Sequence, residues 1–343
     1  MSGPLHEPAS PAVEATDGVQ VPPAGAVPAG SAAESHGGPR PVVVTGPTGS
    51  GKTAAALDLA GYYDGEIVNI DSMQLYRGMD IGTAKLPVDR RRGIPHHLFD
   101  VLEVTQTASV AAYRDAAVEV VEDIRRRGRT PVIVGGSMMY VQALLDDWNL
   151  PPTDPVVRAK WERELERVGV EALHDELARR DPAAAEVIER KDPRRTVRAL
   201  EVIELTGRPF AASQPARSRP PRWNALLLGM RADADWLNPR LEARVRTMVE
   251  DGLLDEVRHL VDRGLHREST AGKAIGYSQM LSHLAGELTF DEAVDATVTG
   301  TRRYARRQRA WFRRDPRILW IDASGPDPVG QARLRVEQAG IPG

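Results

Sequence analysis

Four residues in the stretch GPTGSGKT (46–53) have the types and the spacing to hold phosphate. Gly46, Gly51, Lys52 and Thr53 fill every fixed position of the pattern G-x-x-x-x-G-K-[ST]. Glycines let successive backbone N–H groups converge on phosphate oxygens. A helix N-terminus adds a favourable field, Lys52 supplies a point charge, and the Thr53 hydroxyl is a candidate Mg²⁺ ligand. The candidate diphosphate site is the whole loop: Gly46, Pro47, Thr48, Gly49, Ser50, Gly51, Lys52 and Thr53. The motif specifies phosphates and leaves the rest of the ligand open, since any Mg²⁺-bound diphosphate or triphosphate fits.

A carboxylate stands one element further on. Asp71 follows the apolar run EIVNI (66–70). Ligands of open parallel sheets gather outside the carboxyl ends of the strands, so Asp71 is expected in the same crevice as the loop. Spacing alone leaves three roles open: catalysis, a helix cap, or an outer-sphere Mg²⁺ contact. Gln74 has the chemistry to bridge an adenine edge. Asp80 and Lys85 read as a local salt bridge. His96 and His97 are adjacent, a poor arrangement for chelating one ion, and no third ligand accompanies them. A structural or phosphate-side role is therefore expected for the pair.

These residues need a scaffold that alternates strands and helices. VVVT (42–45), EIVNI (66–70) and TPVIV (130–134) are short β-branched runs bounded by turn residues, as buried parallel strands are. Between the last two, residues 107–128 read as a helix capped by Thr107 or Ser109 and closed by basic residues and Gly128. Beyond LPPTDP near residue 150 the pattern turns helical as far as Gly207, with Asp181-Pro182 and Asp192-Pro193 as cap-and-first-turn pairs. Residues 213–222 read as a loop, NALLLGM (224–230) and RILWID (317–322) as strands, and 235–252 as a helix. The expected organisation is α/β: a P-loop-containing core with a mostly parallel sheet flanked by helices (41–147 and 216–325), plus an α-helical insertion domain (148–215). Residues 1–40, rich in Pro, Ala, Gly and Ser, read as a disordered tail, and 326–343 as a C-terminal tail.

Composition narrows the function class. The chain has 343 residues and 41% hydrophobic content, enough for two packed units. It contains no cysteine, which excludes disulfides and thiolate metal sites and fits a reducing cytoplasm. No run of about 18 apolar residues marks a membrane span. Net charge is −3, and all of that excess lies in the first 40 positions, where four acids stand against Arg40. The remainder is neutral, so local clusters decide what it attracts. The densest is RRYARRQRAWFRR (302–314), where Arg302, Arg306, Arg309 and Arg313 share one helix face and almost no acids intervene. Such a stripe suits an RNA backbone.

Taken together, GPTGSGKT, DSMQLYRGMDIGTAK (71–85), PHHL, GGSMMY (135–140), DPRRTVRALEV (192–202), AIGY (274–277) and the arginine-rich segment resemble the tRNA dimethylallyltransferase family, bacterial type. The match runs in order from about residue 41 to 322. The resemblance implies transfer of a dimethylallyl group from its diphosphate to N6 of the adenosine 3′ to the anticodon (position 37) in tRNAs reading codons that start with U. The loop would then hold a pyrophosphate leaving group, with Mg²⁺ on Thr53. By similarity, Asp71 is the base that takes a proton from the amine, and Arg244, chosen among Arg240, Arg244 and Arg246, lies by the diphosphate. Asp71, Ser72, Met73 and Gln74 would contact the extruded base. Ser137 stands where the family has Thr. Arg194, Arg195, Thr196, Val197 and Arg198 match a tRNA-contacting segment, and the arginines 302, 306 and 309 would follow the anticodon stem-loop. A monomer in the cytoplasm with no membrane association is expected. Two alternatives share the phosphate loop: a prenyltransferase acting on free AMP or ADP, and a small-molecule kinase using ATP.

Overall fold

A computed structural model of the chain describes residues 37–146, 148, 150–210 and 220–341. Its centre is a six-stranded sheet of β1 (Val42–Thr45), β2 (Gly65–Asn69), β3 (His96–His97), β4 (Thr130–Val134), β5 (Leu226–Arg231) and β6 (Leu319–Asp322). The order across the sheet is β3-β2-β4-β1-β5-β6, and every pairing is parallel. The expected strands are all present. The histidine pair adds an edge strand that its sequence did not announce, because two residues carry no periodicity.

Side-chain alternation along β1 splits the core in two. Val42 and Val44 face α1 (Lys52–Tyr62), α8 (Ala234–Glu250) and α12 (Pro328–Gln338). Val43 faces α2 (Val110–Arg126) and α3 (Met138–Leu145). Parallel strands need helical crossovers, and these helices cover both faces, which is why the strands read as continuous apolar runs. Helix α2 starts at Ser109, whose hydroxyl accepts the Ala112 N–H. A third apolar cluster holds α9 (Leu253–Asp262) and α10 (Tyr277–Leu284) against Tyr76 and Met79 of the segment after β2 and Val104 of the segment after β3.

Four helices, α4 (Pro155–Val168), α5 (Val170–Arg180), α6 (Pro182–Val187) and α7 (Pro193–Thr206), share their own apolar cluster around Trp161, Leu173, Leu177 and Leu200. Asp154, Asp181 and Asp192 cap α4, α6 and α7, each ahead of a proline at the first helical position. Glu201 of α7 ties this group to the chain entering it. Its buried carboxylate accepts the Thr153 hydroxyl (2.7 Å), the Asp154 N–H (3.0 Å) and the guanidinium groups of Arg158 (2.5 Å) and Arg198 (2.8 Å). Burial would raise its pKa, but these donors outweigh it and hold the carboxyl down at about 2.

Both expected tails need correction where the structure describes them. Residues 328–338 form α12, whose Ala332 and Val336 are fully buried against the sheet core. Arg40 reaches the carbonyls of Asn224 and Ala339, and Arg125 holds those of Gly38 and Pro39. Residues 1–36, and 213–219 of the expected loop, lie outside the described residues.

Candidate active site

The phosphate loop leaves β1 at Thr45 and enters α1 at Lys52. Gly46 is indispensable to its path. Its φ is +132°, and a Cβ there would lie 2.4 Å from the Met230 carbonyl oxygen of the adjacent strand β5. Gly51 takes the left-handed conformation that opens α1. Inside the loop, Ser50 Oγ and Lys52 Nζ both donate to the Pro47 carbonyl at 2.8 Å. Burial pushes the Lys52 amine down to about 8; the Asp71 carboxylate opposes this shift and Arg244 reinforces it.

Asp71 stands past the carboxyl end of β2, level with those of β1 and β4 in the strand register. Buried Asn69 shapes the turn that carries it. Its Oδ1 accepts the Asp71 N–H (2.8 Å), and its Nδ2 donates to the carbonyls of Asp71 (3.0 Å) and Leu98 (2.9 Å). Asp71 Oδ1 in turn accepts the Met73 N–H at 3.0 Å. This Asx turn orients the carboxylate without using both its oxygens. Ser137 joins from the end of β4, its Oγ accepting the Ser72 N–H at 3.0 Å.

Two cavities meet at this carboxylate. One, about 560 Å³, is lined by Thr48, Gly49, Gly51, Lys52 and Thr53 on its phosphate-loop side and by Leu57, Ile67, Leu86 and Phe99 on an apolar side. The other, about 280 Å³, is lined by Ser72, Met73, Met248, Ile275, Tyr277, Tyr304 and Arg307. Thr48, Asp71, Thr83 and Arg244 belong to both walls. Asp71 and Arg244 are therefore placed between a phosphate grip and a second, largely apolar compartment. Arg244 is lowered from its ordinary pKa by burial, against the pull of Asp71.

The three arginines of α8 separate cleanly. Arg244 faces the crevice, and Arg240 lines the larger cavity while stacking at 4.3 Å on the Trp236 ring. Arg246 is exposed and pairs with Glu242 at 2.9 Å. Gln74 also lines the larger cavity and donates to the Thr83 carbonyl at 3.0 Å. Lys85 is buried with Asp80 (2.7 Å) and Asp100 (2.6 Å), the structural pairing expected, extended by one partner. His96 lines the larger cavity with its Nδ1 2.7 Å from the Ile94 carbonyl, whereas His97 pairs with buried Glu66 at 2.7 Å. Among the described residues no group of three or more His, Cys, Asp or Glu side chains is placed to hold a metal.

The expected RNA contacts divide. In α7, Arg194 and Arg195 are exposed. Thr196 and Val197 are not available: both side chains are buried, Thr196 donating to the Asp192 carbonyl and Val197 packing in the helical cluster. Arg198 is committed to Glu201 and to the carbonyls of Pro151 and Pro152. In α11 (Phe290–Phe312) the arginine stripe is less free than its own sequence implied. Arg302 pairs with Glu242 at 2.6 Å and Arg309 lies 3.8 Å from Asp233, with both acids supplied by or next to α8. Acids distant in sequence thus supply what residues 301–314 lack. Arg306 is exposed in the groove between α8 and α11 that Arg302 and Arg309 also line.

Sequence reasoning missed Asn69, Thr83, Tyr304 and Gln308. Glu256 of α9 was missed too. Its carboxylate accepts the N–H groups of Asp80, Ile81 and Gly82 and the Tyr277 hydroxyl, fixing the loop that presents Thr83. Asn69 acts on its near neighbour Asp71 without any motif to mark it, and Tyr304, Gln308 and Glu256 act through partners far away in sequence.

Comparison with known proteins agrees with this geometry. A family model described as IPP transferase matches residues 74–315. The chain is 66% identical over 302 residues to a tRNA dimethylallyltransferase of Corynebacterium jeikeium, covering 88% of this chain and 96% of that protein. It is 59% identical over 292 residues to the tRNA dimethylallyltransferase of Nocardia farcinica, covering 85% and 93%. The solved tRNA isopentenylpyrophosphate transferase of Bacillus halodurans aligns at 37% identity with a TM-score of 0.64, over 88% of this chain and 97% of that one. A eukaryotic dimethylallyltransferase acting on tRNA aligns at 27% identity with a TM-score of 0.71, over 88% and 80%. A phosphate loop and a carboxylate at the mouth of a parallel sheet, with relatives this similar over most of their length, lead to one conclusion: the chain belongs to the IPP transferase family.

Proposed function

We propose that this protein transfers a dimethylallyl group from dimethylallyl diphosphate to N6 of the adenosine 3′ to the anticodon in tRNAs reading codons that begin with U, releasing pyrophosphate. The observation that carries this reading is the position of Asp71 on the shared wall of two cavities, one of them lined by the phosphate loop. An N6 amine is a poor nucleophile because its lone pair is delocalised into the ring. It needs a base as the C–N bond forms, and Asp71 is sited to accept that proton. Negative charge develops on the departing diphosphate, where Lys52, Arg244 and the loop amides stabilise it.

The donors near the loop fit a magnesium ion that arrives on the diphosphate better than a resident one. Thr53 offers one hard oxygen at the exposed start of α1, and no ligand cage surrounds it among the described residues. Mg²⁺ keeps several waters and takes few protein ligands at phosphate sites, which this arrangement allows. Bound there, it supplies charge neutralisation to the leaving group. No described helix is long and apolar enough to cross a membrane, in keeping with action on tRNA in the cytoplasm.

The test is direct. The protein is incubated with dimethylallyl diphosphate, Mg²⁺ and unmodified tRNA, and the tRNA is digested to nucleosides. Isopentenyladenosine should appear at the position next to the anticodon, and AMP in excess should not compete. Prenylated AMP in preference to tRNA would establish the mononucleotide reading, and phosphate transfer from ATP the kinase reading.

A further inference from the structure

Not every polar residue of the arginine-rich helix serves its outer surface. Tyr304 and Gln308 are four positions apart, so they share one face of α11. Gln308 is 1% exposed. Its Oε1 accepts the Thr48 N–H of the phosphate loop at 2.8 Å, and its Nε2 donates to the Gly136 carbonyl at 2.9 Å. The Tyr304 hydroxyl donates to the same carbonyl at 3.4 Å. The fit leaves no slack: a Cβ on Gly136 would stand 2.3 Å from Gln308 Nε2 and 2.9 Å from the Gly46 carbonyl oxygen. The next residue, Ser137, accepts the Ser72 N–H. Hydrogen bonds thus run from the loop that grips phosphate, through one buried amide, to the turn after β4 and on to the residue following Asp71.

We propose that Gln308, with Tyr304 beside it, is a positioning residue that sets the separation between the phosphate loop and Asp71. It would thereby fix the distance between the departing diphosphate and the group that takes the proton from the amine. The inference rests on the reaction proposed above. Gln308 is not among the residues that line either cavity. It suits the task because a primary amide has one end that only accepts and one that only donates, matching an N–H on one loop and a carbonyl on the other. The bond to Gly136 is buried and that to Thr48 partly so, and the amide is what joins them, so its loss unties the two loops and leaves both to shift.

The test uses the full-length protein, dimethylallyl diphosphate and tRNA. Gln308→Leu keeps the bulk and removes both bonds. Its kcat should fall about 100-fold, the cost of a misplacement near 1 Å, while tRNA affinity is retained. Gln308→Glu supplies a pH signature. The protonated carboxyl donates and accepts as the amide does, whereas the ionised form sets two acceptors against each other. Its activity relative to wild type should climb as pH falls, through a pKa raised by burial beside the Gly136 carbonyl. The proposal is overturned by a folded Gln308→Leu protein with kcat within about twofold of wild type. It is equally overturned if losses merely track the folded fraction and the Gln308→Glu ratio is flat with pH. Should both variants fail to fold, amide exchange in the wild-type protein decides: slow exchange at Thr48 supports the brace and exchange at the rate of an open loop removes it. A wild-type protein that makes no prenylated tRNA would count against the proposed reaction, while the Thr48 measurement would still judge the brace.

Discussion

Lys52 is depressed to about 8 by its surroundings, which ties diphosphate binding to pH in a way that can be worked out. Only the ammonium form pairs with the ligand. If the site's affinity follows the protonated fraction, that fraction falls from nine-tenths at pH 7 to one-tenth or less at pH 9. The dissociation constant for the diphosphate should then rise about 10-fold over those two units, equivalent to about 1.4 kcal/mol. Ligand ionisation and other groups also vary across this range, so the comparison is with Lys52→Arg, whose side chain stays charged throughout. Calorimetric titration with dimethylallyl diphosphate and Mg²⁺ at pH 7, 8 and 9 gives the ratio of the two proteins' affinities. In buffers of different ionisation enthalpy at pH 8.5 it should also reveal proton uptake on binding by wild type alone. For the free protein the sign is also fixed. Between pH 8 and 10.5 the unfolded chain holds more protons at this lysine than the folded one, so this group makes stability rise with pH in that window. A wild-type to Lys52→Arg affinity ratio that is constant from pH 7 to 9, with no proton uptake, would refute the reasoning.

Other consequences of the geometry are as concrete. Asp71→Asn keeps an oxygen for the Met73 N–H but cannot take a proton; turnover in single-turnover assays should fall by about 10²–10⁴, with tRNA affinity unchanged. An equal fall in affinity would make Asp71 a recognition residue. Arg194→Ala with Arg195→Ala should weaken tRNA binding and reduce its salt slope by up to about 2. Thr196→Ala should instead cost about 1 kcal/mol in chemical denaturation and leave the slope intact. Arg306→Ala should flatten the slope more than Arg302→Ala, because Glu242 already offsets Arg302; the reverse ranking would move the RNA path off this groove. Glu201 has a depressed folded pKa, so its stabilisation is present above the unfolded value near 4.5 and is lost as pH falls toward 2. Glu201→Gln should be markedly less stable than wild type at pH 7, and the gap should narrow as pH falls below 4.5 and close only near the folded value of about 2.

Some of this was fixed by local sequence. The phosphate loop, the strands that flank it and the proline-led caps of the inserted helices each depend on neighbours in the chain, so a short window suffices to specify them. Asp71 belongs with them, because a residue past the end of a parallel strand has few places to go. What only the tertiary structure decided is which charges remain free and which groups meet. The arginines at 302 and 309 read as a bare cationic stripe until α8 brought Glu242 and Asp233 beside them. Thr196 and Val197 read as surface until the helical cluster closed over them. The last residues of the chain read as a tail, yet Ala332 and Val336 fill space against α1. Gln308, set within a run of arginines, became part of the crevice only when its amide met Thr48 and Gly136, 260 and 172 positions away. Backbone conformation and capping are short-range and can be read from adjacent residues. Pairing and burial are satisfied by whichever distant group folding brings close, and no local pattern encodes that.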